Sequence, residues 1–165
     1  MYELRLDRKQ TKEIVSDQPK EIRDWVVNAI GNMVVVDGIV EEHELIALHE
    51  AINLLDTKEE AQNLMTLIKQ KKLYDIEPLK VPMEVGAQLF FYIAAISIID
   101  GNLKKVEADL LLSIARKLGL SADFGKVVMR WAQRQMEANR KWGEEQNRIN
   151  LERLQILETA RLSGG

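Results

Sequence analysis

Two stretches of the sequence carry carboxylates at the same spacing. Residues 37–44 read DGIVEEHE and residues 100–107 read DGNLKKVE. Each stretch has Asp-Gly, an apolar residue at the fourth position and Glu at the eighth, and each lies between two apolar segments. Carboxylate oxygens are the ligands that calcium and magnesium prefer, so a divalent-metal site is one chemistry that these residues could support. The recurring acids are Asp37, Glu44, Asp100 and Glu107.

Helical periodicity places these four acids at the ends of apolar stripes. In a helix, residues four, seven and eleven positions apart share a face. Asp37 and Asp100 continue the stripes of the preceding segments, and Glu44 and Glu107 begin the stripes of the following ones. Because an unpaired carboxylate is costly to bury, each acid needs a partner. Three partners stay open: backbone N–H groups at helix ends, a shared divalent cation, or a lysine or arginine side chain.

Other site chemistries do not fit the sequence. An EF-hand loop needs oxygen ligands at its first and third positions, where both stretches have apolar residues. His43 and His49 are six residues apart, which does not fit the four-residue spacing of the helical zinc-protease motif. There is no glycine-rich phosphate loop and no nucleophile elbow. We therefore predict that the protein is not an enzyme.

Composition favours one ordinary globular domain. The 165 residues are 46% apolar and 30% charged, with a formal net charge of −3, which does not favour nucleic-acid binding. There is no cysteine, which excludes disulfides and thiolate zinc sites. The longest apolar run, residues 85–99, is shorter than the ~20 residues that span a bilayer, so we predict a buried helix. The charged first residues do not resemble a signal peptide, so we expect a cytoplasmic protein.

The apolar spacing predicts an all-α chain. We expect five helices over about residues 19–36, 41–55, 56–72, 85–99 and 104–118, followed by a long last helix over about residues 122–161. Asp17 is the expected N-cap of the first helix, Asp56 or Thr57 of the third and Ser121 of the last. Gly119 is expected to close the fifth helix. The inward face predicted for the second helix consists of Leu45, Leu48, Ile52 and Leu55.

The last helix is polar and its apolar spacing is interrupted. Val128, Trp131, Ala138 and Trp142 keep a three-four spacing, which Gly143 and the following EEQNR interrupt. Leu151, Leu154 and Leu157 then resume on another register, so the segment is too short and broken to predict a coiled coil. Two interpretations stay open: a solvated arm, or an arm that binds a protein partner or forms a homodimer.

An internal repeat underlies the predicted architecture. Residues 22–55 match residues 85–118 at a constant offset of 63 residues, and each copy is a helix, an Asp-Gly turn and a helix. We therefore predict two repeated helical hairpins that pack about a pseudo-twofold axis. The predicted organisation is an N-terminal extension (residues 1–18), a helical domain (residues 19–125) and a C-terminal helical arm (residues 126–165).

The paired frame resembles the TerB-like family, named for a bacterial tellurite-resistance protein. The resemblance covers about residues 20–125. It implies about seven helices, an acidic cluster that binds a divalent cation, and a role in tellurite resistance, stress response or phage defence. The matching residues are Asp37, Gly38, Val40 and Glu44, repeated as Asp100, Gly101, Leu103 and Glu107, and the implied metal ligands are Asp37, Glu44, Asp100 and Glu107.

The sequence departs from the family pattern after the apolar position of each copy. The family often has Ser or Asp there, whereas this chain has Glu41 and Lys104. Lys104 and Lys105 add positive charge, which could weaken a metal site or replace the cation by a salt bridge. We therefore expect a non-enzymatic TerB-like module with a protein partner. The alternative is a metal-free interaction protein whose C-terminal helix recruits a partner or dimerises.

Overall fold

The computed structural model describes residues 14–36, 42–72, 76–98 and 103–164. Within these ranges the chain is all-α and has no strand, as predicted, and residues 14–16 form a short helical turn before the first long helix. The long helices are α1 (Lys20–Val35), α2 (Glu42–Ile52), α3 (Lys58–Lys69), α4 (Met83–Ser97), α5 (Lys105–Lys117) and α6 (Ala122–Leu162).

Helices α1 and α4 form the centre of the fold. α1 packs against α2, α3, α4 and α5, and α4 also packs against α2, α5 and α6. The C-terminal halves of α1 and α4 are the most buried parts, with Ile30, Phe90 and Ile93 fully buried. The apolar run predicted to be a core helix is α4, so that prediction is confirmed. In the ranges that the structure covers, no helix combines the length and apolarity needed to cross a membrane.

Local capping chemistry defines several helix ends. The Thr57 hydroxyl accepts a hydrogen bond from the backbone N–H of Glu60 at 3.2 Å, and Ser121 caps α6 in the same way at 3.1 Å. Gly119 has φ +78°, a conformation that favours glycine after a helix end. The predicted Asp17 cap is wrong, because α1 begins two residues later, with Pro19 as N-cap and no side-chain capping bond.

One position predicted to face inward is exposed instead. Leu45 is 39% exposed, because α2 contacts the core further along through Leu48 and Ala51. Ala138, one of the residues with three-four spacing in the last helix, is exposed, because the buried stripe of α6 follows a different face. That stripe consists of Gly125, Val128, Met129, Ala132 and Met136.

Helix α6 approaches α5 closely at Gly125. A Cβ atom at this position would lie 3.2 Å from Leu112 Cδ2 and 3.3 Å from Ala115 Cβ. Beside this contact, the ring of Phe91 on α4 packs edge-on against the ring of Trp131, with centroids 5.1 Å apart. The first half of α6 is therefore part of the domain core.

Candidate functional site

The two acidic stretches are only partly covered by the structure. Asp37 and Asp100 lie outside the described residues. Glu44 belongs to α2, but its side chain is outside the described part as well. Glu107 is the one predicted ligand whose side chain is described. The convergence of the four carboxylates therefore stays a prediction.

Glu107 lies in the first turn of α5 and is only 8% exposed. The N-cap of this helix is Lys104, whose side chain makes no capping bond. Glu107 and Lys104 each take part in an interaction. A carboxylate at this position can accept backbone N–H groups of the first turn, and the helix dipole also stabilises its charge. The buried position of Glu107 is compatible with backbone, metal or salt-bridge partners.

The helices that flank the acidic stretches begin at equivalent positions. Lys20 and Met83 begin α1 and α4, and Glu42 and Lys105 begin α2 and α5, so both separations are 63 residues. α1 and α4 contact each other, and both lead into an acidic stretch from a buried C-terminal half. Among the described side chains, no group of three or more His, Cys, Asp or Glu is placed to hold a metal.

A charged network joins the N-terminal end of α1 to the start of α3. Lys20 Nζ donates to Glu60 Oε1 at 2.6 Å and to Asp24 Oδ2 at 2.8 Å. Arg23 Nη1 donates to Asp56 Oδ1 at 2.6 Å and to the backbone carbonyl of Leu54 at 2.9 Å. The bond from Lys20 to Asp24 lies within α1, whereas the other three connect residues more than 30 positions apart and hold α1 against the start of α3 and the loop before it.

The same network shifts the ionisation of its members. The hydrogen bond from Arg23 holds the pKa of Asp56 below its ordinary value, and the hydrogen bond from Lys20 does the same to the pKa of Glu60. The adjacent surface cavity, lined by Asp24, Asn28, Glu60 and Asn63 among others, has a volume of about 210 Å³. Small-molecule sites usually have at least ~300 Å³, so we assign this region a structural role.

Sequence reasoning did not find this network, although two local signals for it exist. Thr57 and Glu60 form the T-x-x-E pattern of a capping box, and Lys20 and Asp24 are spaced for a helical ion pair. Neither pattern indicates that α1 and α3 become neighbours. The connections between helices depend on the tertiary packing.

The second candidate site is the far end of α6. The helix continues without a break past Gly143, and nearly every residue from 144 to 164 is exposed. Sequence reasoning missed Ile149 and Ile156, which repeat the position of Trp142 at seven-residue spacing. The large apolar side chains exposed here are Ile149 (46%), Leu151 (62%), Leu154 (59%), Ile156 (63%), Leu157 (52%) and Leu162 (76%).

Comparison with known proteins adds no identification. No protein-family model matches the chain, and neither does any curated protein or solved structure. The TerB-like resemblance therefore stays a prediction drawn from the two acidic frames.

Proposed function

We propose that this chain is a non-enzymatic, TerB-like helical module that acts in a cytoplasmic stress-response or tellurite-resistance assembly. In this proposal the two hairpins α1–α2 and α4–α5 are repeats, and their acidic frames together bind one divalent cation. The observation that carries it is Glu107, an acid that is 8% exposed at the edge of the domain core. Its proposed co-ligands are Asp37, Glu44 and Asp100.

The packing of the helices supports a twofold arrangement of the hairpins. α1 contacts α5 and α4 contacts α2, as two repeats exchanged by a twofold axis require. α1 and α4 also contact each other, which an axis between them would produce. Such an axis would bring the ends of α1 and α4 to equivalent places, and the acidic frames begin at those ends.

A shared cation would resolve the electrostatic problem of the cluster. Four carboxylates that converge in a partly buried space repel each other, and burial raises the cost of each charge. A hard cation accepts carboxylate oxygens at 2.3–2.6 Å if it is calcium, or at 2.0–2.1 Å if it is magnesium. The cation would stabilise the folded chain because the unfolded chain does not assemble the ligands.

Calcium and magnesium titrations followed by calorimetry and thermal melting test the metal site. We expect a heat of binding and a stabilisation of roughly 2.7 kcal/mol when the free cation exceeds its dissociation constant a hundredfold. The double variant Asp37→Asn/Asp100→Asn should lose both effects. Glu59→Gln, which removes an exposed carboxylate outside the acidic frames, is the matched control and should keep them. Neither heat nor a melting shift at millimolar cation would contradict metal binding.

The second candidate function is a metal-free interaction protein that binds its partner with α6. The exposed leucines and isoleucines beyond Gly143 favour this second function, because a helix that stays in solvent usually has polar side chains on all of its faces. Deleting residues 144–165 tests it. Loss of the oligomeric state or of a partner in pull-down experiments supports this function, and their survival shows that the arm is not the interface.

A further inference from the structure

The distal arm, residues 144–161, is complementary to its own reverse. Its first half, residues 144–152, reads EEQNRINLE, and its second half, residues 153–161, reads RLQILETAR. When the second half is read backwards, five of the nine pairs consist of identical apolar residues, opposite charges or side-chain amides. The matching pairs on the helix face described next are Leu151 with Leu154 and Glu144 with Arg161. Three further pairs match but are not members of that face: Ile149 with Ile156, Glu152 with Arg153, and Asn150 with Gln155.

Six residues form a row along one face of the arm, which we call the seam. Its members follow each other at alternating separations of three and four residues, the spacing that keeps side chains on one face of paired helices. The two central members, Leu151 and Leu154, are 62% and 59% exposed. The full seam is Glu144, Asn147, Leu151, Leu154, Glu158 and Arg161.

We propose that the distal arm pairs antiparallel with the distal arm of a second copy of this chain. The twofold axis passes between Glu152 and Arg153. Leu151 then packs on Leu154 of the partner subunit, Asn147 faces Glu158 of the partner subunit, and Glu144 faces Arg161 of the partner subunit. This inference deepens the second candidate function, because it rests on the arm being an interface.

The requirements of twofold symmetry favour a second copy of this chain as the partner of the distal arm. In a twofold interface, residue i contacts residue j while j contacts i, so a self-pairing segment must be complementary to its own reverse. The distal arm meets this condition at its ends, where Glu144 meets Arg161, and at its centre, where leucines meet. A parallel pair would instead place Glu144 against Glu144 and Arg161 against Arg161, and like charges at these positions repel.

The existing ion pairs of the arm do not prevent this pairing. Arg161 bonds Glu158 one turn earlier, and Glu144 bonds Arg140 at 3.1 Å, all within α6. These side chains are exposed, and exposed pairs contribute little to stability, so they can exchange partners. The apolar centre is short, with two leucines from each chain, so we expect association in roughly the micromolar range rather than a permanent dimer.

Engineered disulfides test the orientation without interference, because the chain has no cysteine of its own. Asn147→Cys and Glu158→Cys are made as separate full-length proteins, then oxidised alone and as a mixture. The antiparallel register predicts the mixed disulfide and almost no disulfide in either protein alone. In that register, Asn147 and its copy are offset by eleven residues, roughly 16 Å along the helix, which is beyond disulfide reach. Disulfide-linked dimers of either variant alone, or the absence of a mixed disulfide in the mixture, would overturn the proposal.

Sedimentation of seam variants tests the same interface. Leu154→Asp should weaken dimerisation by more than about 100-fold, because the carboxylate would be buried against a leucine. Ile149→Asp is the matched control, since Ile149 is similarly apolar but lies on the opposite side of the helix, and it should leave association unchanged. If Ile149→Asp abolishes the dimer and Leu154→Asp does not, the dimer forms through a face of the helix other than the proposed seam.

Exchanging the charges of Glu144 and Arg161 gives a test in which dimerisation is first weakened and then restored. Glu144→Arg alone, or Arg161→Glu alone, should weaken dimerisation by up to about 30-fold, the combined effect of two exposed ion pairs. The double exchange should restore it, because both pairs are reformed with their signs reversed. Failure to restore would contradict the pairing of these two residues.

The outcomes also separate this inference from the function on which it rests. If the chain is monomeric but Leu154→Asp abolishes capture of a different protein, the arm is an interface and self-pairing is wrong. If neither dimerisation nor partner capture depends on residues 144–161, both are wrong. Metal binding is measured by calorimetry on the full-length chain and depends on the acidic frames, so neither result affects it.

Discussion

The two halves of α6 differ in what stabilises them, although they form one unbroken helix. Its first half is buried against α4 and α5, with Val128 and Ala132 at most 1% exposed. Its second half exposes six large apolar side chains and makes its visible ion pairs within the helix itself. Most helical stability in proteins comes from the packing of an apolar face rather than from helix propensity. The comparison teaches that the described part of the chain buries one half of this helix and leaves the large apolar side chains of the other half exposed.

The largest expected difference between the halves follows from burying a charge. Ala132→Asp places a carboxylate at a position that is 0% exposed, so we expect a loss of about 3–5 kcal/mol in the free energy of unfolding. Ala160→Asp makes the same change on the exposed half of the helix and should alter stability by less than about 0.5 kcal/mol. Urea denaturation of both variants measures the difference. Equal losses would show that the distal half is buried in the native protein.

The next largest effect concerns the close approach of α6 to α5. Gly125→Val should destabilise the protein by about 1–3 kcal/mol, because its Cβ would meet Leu112 and Ala115 at 3.2 and 3.3 Å. Thermal and urea unfolding measure the loss. An unchanged or raised stability would mean that α5 and α6 can separate at no cost.

The glycine of the distal half should respond in the opposite direction. A Cβ at Gly143 meets nothing within 4 Å, so Gly143→Ala should stabilise the helix by roughly 0.5–1 kcal/mol through its higher helix propensity. Far-ultraviolet circular dichroism during denaturation detects this gain. Destabilisation would indicate that a partner approaches the helix closely at Gly143.

The smallest effects concern ion pairs between helices and within α6. Arg23 holds the pKa of Asp56 below its ordinary 3.8, and Arg140 holds the pKa of Glu137 below its ordinary 4.5. A lowered folded-state pKa adds stability above the ordinary pKa, and this stability is lost as the pH falls through the folded value. Asp56→Asn should therefore reduce the loss of stability on acidification more than Glu137→Gln, because only the Asp56 ion pair joins segments far apart in sequence. Unfolding measured between pH 6 and about pH 3 tests this order.

Local chemistry explains why three of the helix ends could be predicted. Capping by Thr57 and Ser121 depends on residues three positions apart, and the closing turn at Gly119 depends on one backbone conformation. The cap of α1 could not be predicted in this way, because Asp17 precedes Pro19 and either residue could begin a helix. Leu45 was predicted to face inward with Leu48, but it is 39% exposed whereas Leu48 is buried.

Long-range placement limits what could be predicted about the candidate sites. The periodicity of α5 places Glu107 at the start of its inward stripe, and this side chain is buried. Whether Asp37 and Asp100 meet depends on how the hairpins pack, which local spacing does not contain. The same holds for Lys20 and Glu60, whose contact depends on α1 lying beside α3.

Amide hydrogen exchange at different protein concentrations tests most directly whether the two halves of α6 have different sources of stability. Mass spectrometry can follow peptides from residues 122–140 and 147–161 over a concentration range on the order of a thousandfold. We predict that the first segment is protected at every concentration, because its partners belong to the same chain. The second segment should be protected only at high concentration and lose protection in Leu154→Asp. Equal protection of both segments at all concentrations, or no protection of the second at any, would contradict the account.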